Sequence, residues 1–238
     1  MNEKISNFYD EITPFYRQYS EKKLLYLKSV DEFIIKNIIN EANSLLEIGA
    51  GDGIRGMNIA KLTGIKNIVL NDNSEKMIEK CRELSPKEVW QCDAEDLEKY
   101  NKKFDIVTCL WNVLGHLKNQ NCRIKALKNI KSLLNKDGIA FIDVNNRYNA
   151  ESYGYFQVFK RIIHDFFIFN ETNGDTNYFW EIEGNKINAM GHLFTPFEIE
   201  NLIKKSGLRI YKKVIVNYDN GRITNCYLKG QLIYILKI

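Results

Sequence analysis

The chain has 238 residues, 45% of them hydrophobic and 27% charged, with a formal net charge of +4. That length is enough to bury the core of one domain, and the composition excludes fibrous and intrinsically disordered classes. No stretch approaches the roughly 18–20 apolar residues of a membrane helix, and Met1-Asn2-Glu3-Lys4-Ile5-Ser6 lacks the apolar core of a secretion signal, so a cytoplasmic location without membrane attachment is expected.

The N-terminal segment, residues 8–39, reads as two helices. A short apolar strand follows at 44–49, then a helix over 54–62 with Met57, Ile59 and Ala60 on its apolar side. Residues 65–70 form a second strand, and Ser74 is placed to cap a helix that runs to about Leu84 and stops at Pro86. A third strand spans 89–92. The continuous apolar run at 104–110 is that of a parallel strand buried on both faces. An amphipathic helix over 121–134, a turn at 135–138 and a fifth strand at 139–144 complete an alternation of strands and helices, hence an α/β fold with a parallel sheet.

The alternation then breaks. Residues 151–164 are helical, and the aromatic-rich stretch 165–194 carries turn signals at Asn173-Gly174-Asp175 and Gly184-Asn185, which predicts two or three antiparallel strands forming a cap. Thr195 and Pro196 open a last helix ending near Ser206-Gly207, and two β-rich runs follow at 208–216 and 230–238. The expected division is 1–43 as a helical lid, 44–150 as the core, 151–194 as the cap and 195–238 as the remainder of the core.

The loop after the first strand, Glu47-Ile48-Gly49-Ala50-Gly51-Asp52-Gly53, lets the backbone turn tightly and approach a ligand at a helix N-terminus. Asp72 ends the second strand, where a carboxylate can accept both hydroxyls of a ribose. Gly51-x-Gly53-x-x-Gly56 also satisfies a dinucleotide fingerprint, so the loop alone leaves both readings open. Glu47, two positions before the first glycine, and Asp93, closing the third strand, tilt the choice. With Phe104-Asp105-Ile106-Val107 and Leu134-Asn135-Lys136-Asp137-Gly138-Ile139, the order of motifs resembles the class I methyltransferases over residues 44–144 and again over 194–208.

That resemblance implies a Rossmann-like sheet of seven strands, order 3-2-1-4-5-7-6, with the last antiparallel and helices on both faces. It also implies S-adenosylmethionine as cofactor and S-adenosylhomocysteine as product. Gly49, Gly51 and Gly53 then approach the methionine part, with Glu47 beside them. Asp72 and Asn73 lie at the ribose, Asp93 and Ala94 at the adenine. Met77 and Trp111 are candidates to flank the cofactor, or else core residues. Tyr16, with Tyr9 and Tyr19, resembles the tyrosine-rich lid of small-molecule members.

Methyl transfer from a sulfonium needs positioning above all, and a base only if the acceptor must lose a proton. His116 and Asn112, after the fourth strand, fall at the carboxyl ends of the strands and are the catalytic candidates. Arg147, Tyr148, His164, Tyr178, Trp180 and His192 are expected to touch substrate, although aromatic residues there could equally form the core of the cap.

The expected acceptor is a small polar metabolite, methylated on nitrogen or oxygen. The basic pairs, Lys22-Lys23, Lys102-Lys103, Lys204-Lys205 and Lys212-Lys213, are scattered, so no nucleic-acid partner is expected, and the protein is expected to be a monomer or homodimer. RNA or protein methylation, a cofactor-binding module without activity, and a nicotinamide oxidoreductase are the competing readings. Five dispersed cysteines suggest neither a disulfide framework nor a metal site.

Overall fold

Three helices, rather than two, begin the chain: α1 (Glu3–Ile12), α2 (Tyr16–Glu21) and α3 (Leu24–Asn37). A 3-10 turn at Thr13–Phe15 separates the first two, because Pro14 can neither donate to nor fit within a continuous helix. The structure, a computed structural model, describes residues 3–38, 41–168, 170–182 and 184–238; Ile39, the expected end of the segment, lies outside them.

The alternating core follows as β1 (Ser44–Ile48), α4 (Ile54–Thr63), β2 (Asn67–Asp72), α5 (Glu75–Glu83), β3 (Glu88–Gln91), β4 (Phe104–Cys109), α6 (Gln120–Leu133) and β5 (Leu134–Val144). Ser74 caps α5 by accepting from the Met77 amide. β5 begins five residues earlier than the sequence suggests. The residues read as a turn lie within the strand, where the register slips between Phe104 and Ile106 and Asn135 Nδ2 donates to Asp105 Oδ1 at 2.6 Å.

The helix expected over 151–164 is two, α7 (Ala150–Tyr153) and α8 (Tyr155–Phe167), broken at Gly154, whose φ is 83°. The aromatic-rich stretch yields one antiparallel hairpin of two strands, β6 (Asp175–Ile182) and β7 (Asn185–His192). α9 (Pro196–Ser206) opens with a complete capping box between Thr195 and Glu198, and β8 (Arg209–Val216), β9 (Ile223–Thr224) and β10 (Gln231–Lys237) end the chain.

The main sheet has eight strands, not seven, in the order β3-β2-β1-β4-β5-β10-β8-β9. β10 runs antiparallel to both β5 and β8, as expected of the last strand. The extra strand arises because Asn217 Oδ1 accepts from the amides of Asp219 and Asn220, turning the chain back so that Ile223–Thr224 pairs with the end of β8. Leu127 and Ile130 of α6 and Ile199 and Leu202 of α9 belong to one apolar layer; Tyr26 and Val30 of α3 and Ile59 and Ala60 of α4 belong to the other. A third, smaller core joins Phe8 and Ile12 of α1 to Met77 of α5 and Trp180 and Ala189 of the hairpin. Burial of Phe8 and Ile12 stabilises this docking by roughly 1.5–3 kcal/mol for each side chain. The N-terminal helices and the hairpin therefore meet beside the carboxyl ends of β1, β2 and β4.

Candidate active site

Gly49, Gly51 and Gly53 all adopt positive φ, at 67°, 56° and 73°. A side chain at Gly51 would lie 2.7 Å from the Tyr16 hydroxyl, so the loop needs glycine both for its conformation and for the close approach of the lid. Asp72 ties this loop to β2: Oδ2 accepts from the Gly51 amide at 2.9 Å and Oδ1 from the Ser74 amide at 3.0 Å. Burial of the carboxyl pushes its pKa up to about 6 against the pull of these amides.

A narrow cavity of about 50 Å³ runs along the loop. Of the expected cofactor residues, Tyr16, Gly49, Gly51, Asp72, Asn73, Ala94 and Trp111 line it. Gly53, Glu47, Met77 and Asp93 do not. Gly53 precedes α4 with Leu70 and Cys81 packed where its side chain would be. Met77 is fully buried in the small core beneath α1, because Phe8 and Ile12 cover the face that α5 presents. Asp93 stands just before the 3-10 turn of residues 94–99, its carbonyl accepting from the Asp96 amide.

Glu47 is buried behind the loop, and desolvation pushes its pKa up to about 8. The adjacent Arg55 donates through Nε to Asp31 at 2.6 Å. Among the described residues, Glu47 Oε2 and Arg55 Nη2 are buried without a hydrogen-bond partner.

Beyond β4 the backbone does something unusual for side-chain-bearing residues: Trp111 and Asn112 have φ of 60° and 63° in succession. Such conformations cost about 1–3 kcal/mol each and persist only where the surroundings impose them. Here the Asn112 amide donates to Asp143 Oδ1 at 2.9 Å, while Tyr26 donates its hydroxyl to Asp143 Oδ2 at 3.1 Å. Asn112 Oδ1 accepts from the Asn145 amide at 2.9 Å, and Nδ2 donates to the His192 carbonyl at 3.4 Å. Both ends of the Asn112 side chain are thus engaged in bracing the end of β4 to the end of β5 and to the hairpin.

His116 sits in the next turn. Its Nδ1 lies 3.2 Å from the Met190 carbonyl and its Nε2 3.1 Å from the Tyr9 hydroxyl. A carbonyl only accepts, so Nδ1 carries the proton and Nε2 accepts from Tyr9. Burial pushes the His116 pKa down to about 4, leaving the ring neutral near pH 7.

A second cavity, of about 230 Å³, lies on the other side of Tyr9, Trp111 and His116. Asn112, Tyr178, Trp180 and His192 line it, together with Arg161 and Tyr218, which the sequence did not single out. Tyr19 of α2 stacks on Trp180 of β6 with ring centroids 3.4 Å apart, joining lid to hairpin. His192 is buried between two carboxylates, with Nδ1 2.6 Å from Asp175 and Nε2 2.8 Å from Glu198. The remaining candidates lie elsewhere. Arg147 and Tyr148 bind Asp165 in a separate groove, at 2.7 Å and 3.1 Å, and His164 is half-exposed beside the same carboxylate. Asp165 draws all three away because α8 turns it toward the segment after β5.

Tyr26 and Asp143 also escaped the sequence reading, although an acid within the apolar run Phe141-Ile142-Asp143-Val144 is a visible signal of a buried partner. Among the described residues, no group of three or more His, Cys, Asp or Glu side chains is placed to hold a metal ion. None of the helices described is long and apolar enough to cross a membrane.

The family described as Methyltransferase domain matches residues 16–213. A tRNA U34 carboxymethyltransferase of Campylobacter jejuni is 31% identical over 117 residues, which make up 46% of this chain and 38% of that protein. The chain thus matches well under half the length of that relative. An S-adenosylmethionine-dependent methyltransferase from Clostridium acetobutylicum superposes with a TM-score of 0.65 at 15% identity, covering 94% of this chain and 98% of its own. CalS10 of Micromonospora echinaspora, an amino pentose methyltransferase solved with S-adenosylmethionine bound, superposes at 0.59 with 13% identity, covering 89% and 90%. At these identities the two structures establish a shared fold.

Proposed function

Because the chain belongs to the methyltransferase domain family, with the class I fold of S-adenosylmethionine-dependent enzymes, we propose that it methylates nitrogen or oxygen of a small polar metabolite. The observation that carries this acceptor class is the second cavity. It is walled on one side by the N-terminal helices, on another by the hairpin, and it adjoins the glycine-loop cavity across Tyr9, Trp111 and His116. A space of about 230 Å³, bordered by the Tyr19–Trp180 stack, suits a metabolite better than a polymer.

The residues along the glycine loop fit the cofactor. Its backbone is open to close approach, Asp72 is placed to accept ribose hydroxyls, Asn73 and Ala94 lie beyond it toward the adenine end, and Trp111 walls the far side. Glu47 and Arg55, with an unpartnered oxygen and nitrogen, line a neighbouring cavity together with Gly49 and Trp111 and offer complements to the cofactor's amino acid group there. Tyr9 and Tyr16 narrow the cavity to about 50 Å³, so these lid side chains swing outward before a nucleoside enters.

Bound S-adenosylmethionine supplies an electrophilic methyl group on a sulfonium, so the protein needs no strong nucleophile of its own. What the chain contributes is placement, worth roughly 7–11 kcal/mol when two reactants are held in line. Asn112 acts as a positioning residue by fixing the turn that carries Trp111 and His116. Where the acceptor must lose a proton, neutral His116 receives it at Nε2, directly or through the Tyr9 hydroxyl.

The amino pentose methyltransferase of the same fold supports a small acceptor. A second reading, RNA as acceptor, is favoured by the tRNA carboxymethyltransferase relative. Incubation with methyl-labelled S-adenosylmethionine and a host extract, followed by size fractionation, decides between them. Label in the small-molecule fraction is expected; label on RNA or protein refutes the metabolite reading.

A further inference from the structure

Among the described residues that line the second cavity, Arg161 is the only lysine or arginine. Arg161 of α8 is half-buried, its Nη1 donates to the Arg147 carbonyl at 3.1 Å, and its guanidinium lies 4.5 Å from the Tyr153 ring centroid. Its sequence spacing predicts an ion pair with Asp165, four residues later on the same helix. The structure commits that carboxylate elsewhere. Asp165 receives both Nε and Nη2 of Arg147, at 2.7 Å and 3.1 Å, and accepts as well from Tyr148 and Asn173. Asp175 and Glu198, the acids that flank His192 in the cavity wall, are also engaged, since both hold that ring.

Among the described residues, no aspartate or glutamate lines the cavity, and Arg161 forms no salt bridge. Burial and the neighbouring Arg147 charge act against its protonated form more than Tyr153 and Asp165, which is not in salt-bridge contact, favour it, so a closer partner of opposite charge would complete the site. The other polar groups lining the cavity include the hydroxyls of Tyr153, Thr176 and Tyr218. Tyr218 oxygen already accepts from Trp111 Nε1 at 3.3 Å, which leaves its own proton to donate. Beside Tyr153 the cavity therefore carries a fixed positive charge, whereas the His116 ring is neutral.

We propose that Arg161 forms an anion subsite, so that the methyl acceptor carries a carboxylate or phosphate group bound there while its nucleophilic atom faces the His116 end. The planar guanidinium, within cation–π distance of Tyr153, suits the paired oxygens of either group. This deepens the small-metabolite reading and rests on it.

The test fractionates the labelled small molecules of the host extract by anion exchange after incubation with the wild-type protein. Label is expected in the retained, anionic fraction. Treatment of that fraction with phosphatase then separates the two sources: label that ceases to be retained came from a phosphate ester, and label still retained from a carboxylate. Arg161→Gln is expected to lower labelling of the retained fraction about 30-fold or more through KM, with Arg161→Lys between the two. Cofactor binding, measured calorimetrically, is expected to be unchanged in both variants, which also shows that they fold. Small-molecule label found in the unretained fraction, or undiminished labelling by a folded Arg161→Gln, overturns the anion subsite while leaving the metabolite reading intact. Label on macromolecules alone refutes both.

Discussion

Asp72 is the residue on which cofactor affinity should depend most. In the proposed cofactor site it holds two ribose hydroxyls, each charge-assisted bond contributing roughly 1.5–3 kcal/mol, so Asp72→Ala is expected to weaken S-adenosylmethionine binding about 100-fold or more by calorimetry. With the carboxyl pushed up to about 6, affinity is also expected to fall as pH drops from 7 toward 5, because protonation removes an acceptor. His116 behaves differently. Held down to about 4, it stays neutral over that range, so an acid limb near 6 in the pH–rate profile belongs to Asp72. His116→Ala is expected to lower kcat by about 10²–10⁴ while cofactor Kd holds; an unchanged kcat would mean that the acceptor needs no base. That the glycine loop and Asp72 share one cavity could be read from the sequence, because each directly follows or ends an apolar strand. Arg161 could not, since its i,i+4 partner is taken by Arg147, which only the turn after β5 brings near.

At the scale of elements, β1 to β5 were visible through apolar runs alternating with helical periodicity, and both Ser74 and Thr195 cap the helices that their positions predict. What escaped notice were features set by tertiary contact: the early start of β5, which depends on a slip opposite Asp105, and the short β9 at the sheet edge. The paired positive φ values at Trp111 and Asn112 belong with these. No local signal announces them, because Asp143, Asn145 and His192 impose them from other segments. Asn112→Ala leaves the Asn145 amide and the His192 carbonyl unsatisfied, at about 1–3 kcal/mol for each buried group. Asn112→Gly loses the same bonds but relieves the left-handed backbone, so it is expected to retain a higher urea midpoint than Asn112→Ala. Both variants should lose kcat, because the turn that carries His116 is no longer held. Equal midpoints would show that the backbone there is not strained.

Across the whole molecule, the lid and the sheet respond to different forces. The lid rests on a small aromatic core, so Phe8→Ala is expected to speed hydrogen exchange over α1 and α2 and cofactor release, without changing exchange in β1 and β4. The stability of the sheet is instead linked to pH through Glu47. In the folded protein its pKa is about 8, whereas an unfolded glutamate titrates near about 4.3. Between these values the native state holds a proton that the unfolded state has released, so stability falls as pH rises through that window. Asp72, raised to about 6, acts in the same direction over the lower part of the range. Glu47→Gln fixes the neutral form and removes the larger of the two contributions. In urea titrations of the cofactor-free protein, the variant is therefore expected to lose less stability than the wild type from pH 5 to pH 8, the gap widening with pH and reaching several kcal/mol. A variant that instead proves less stable at pH 8 would mean that Glu47 is ionised in the native state and that its attraction to Arg55 outweighs the desolvation of both.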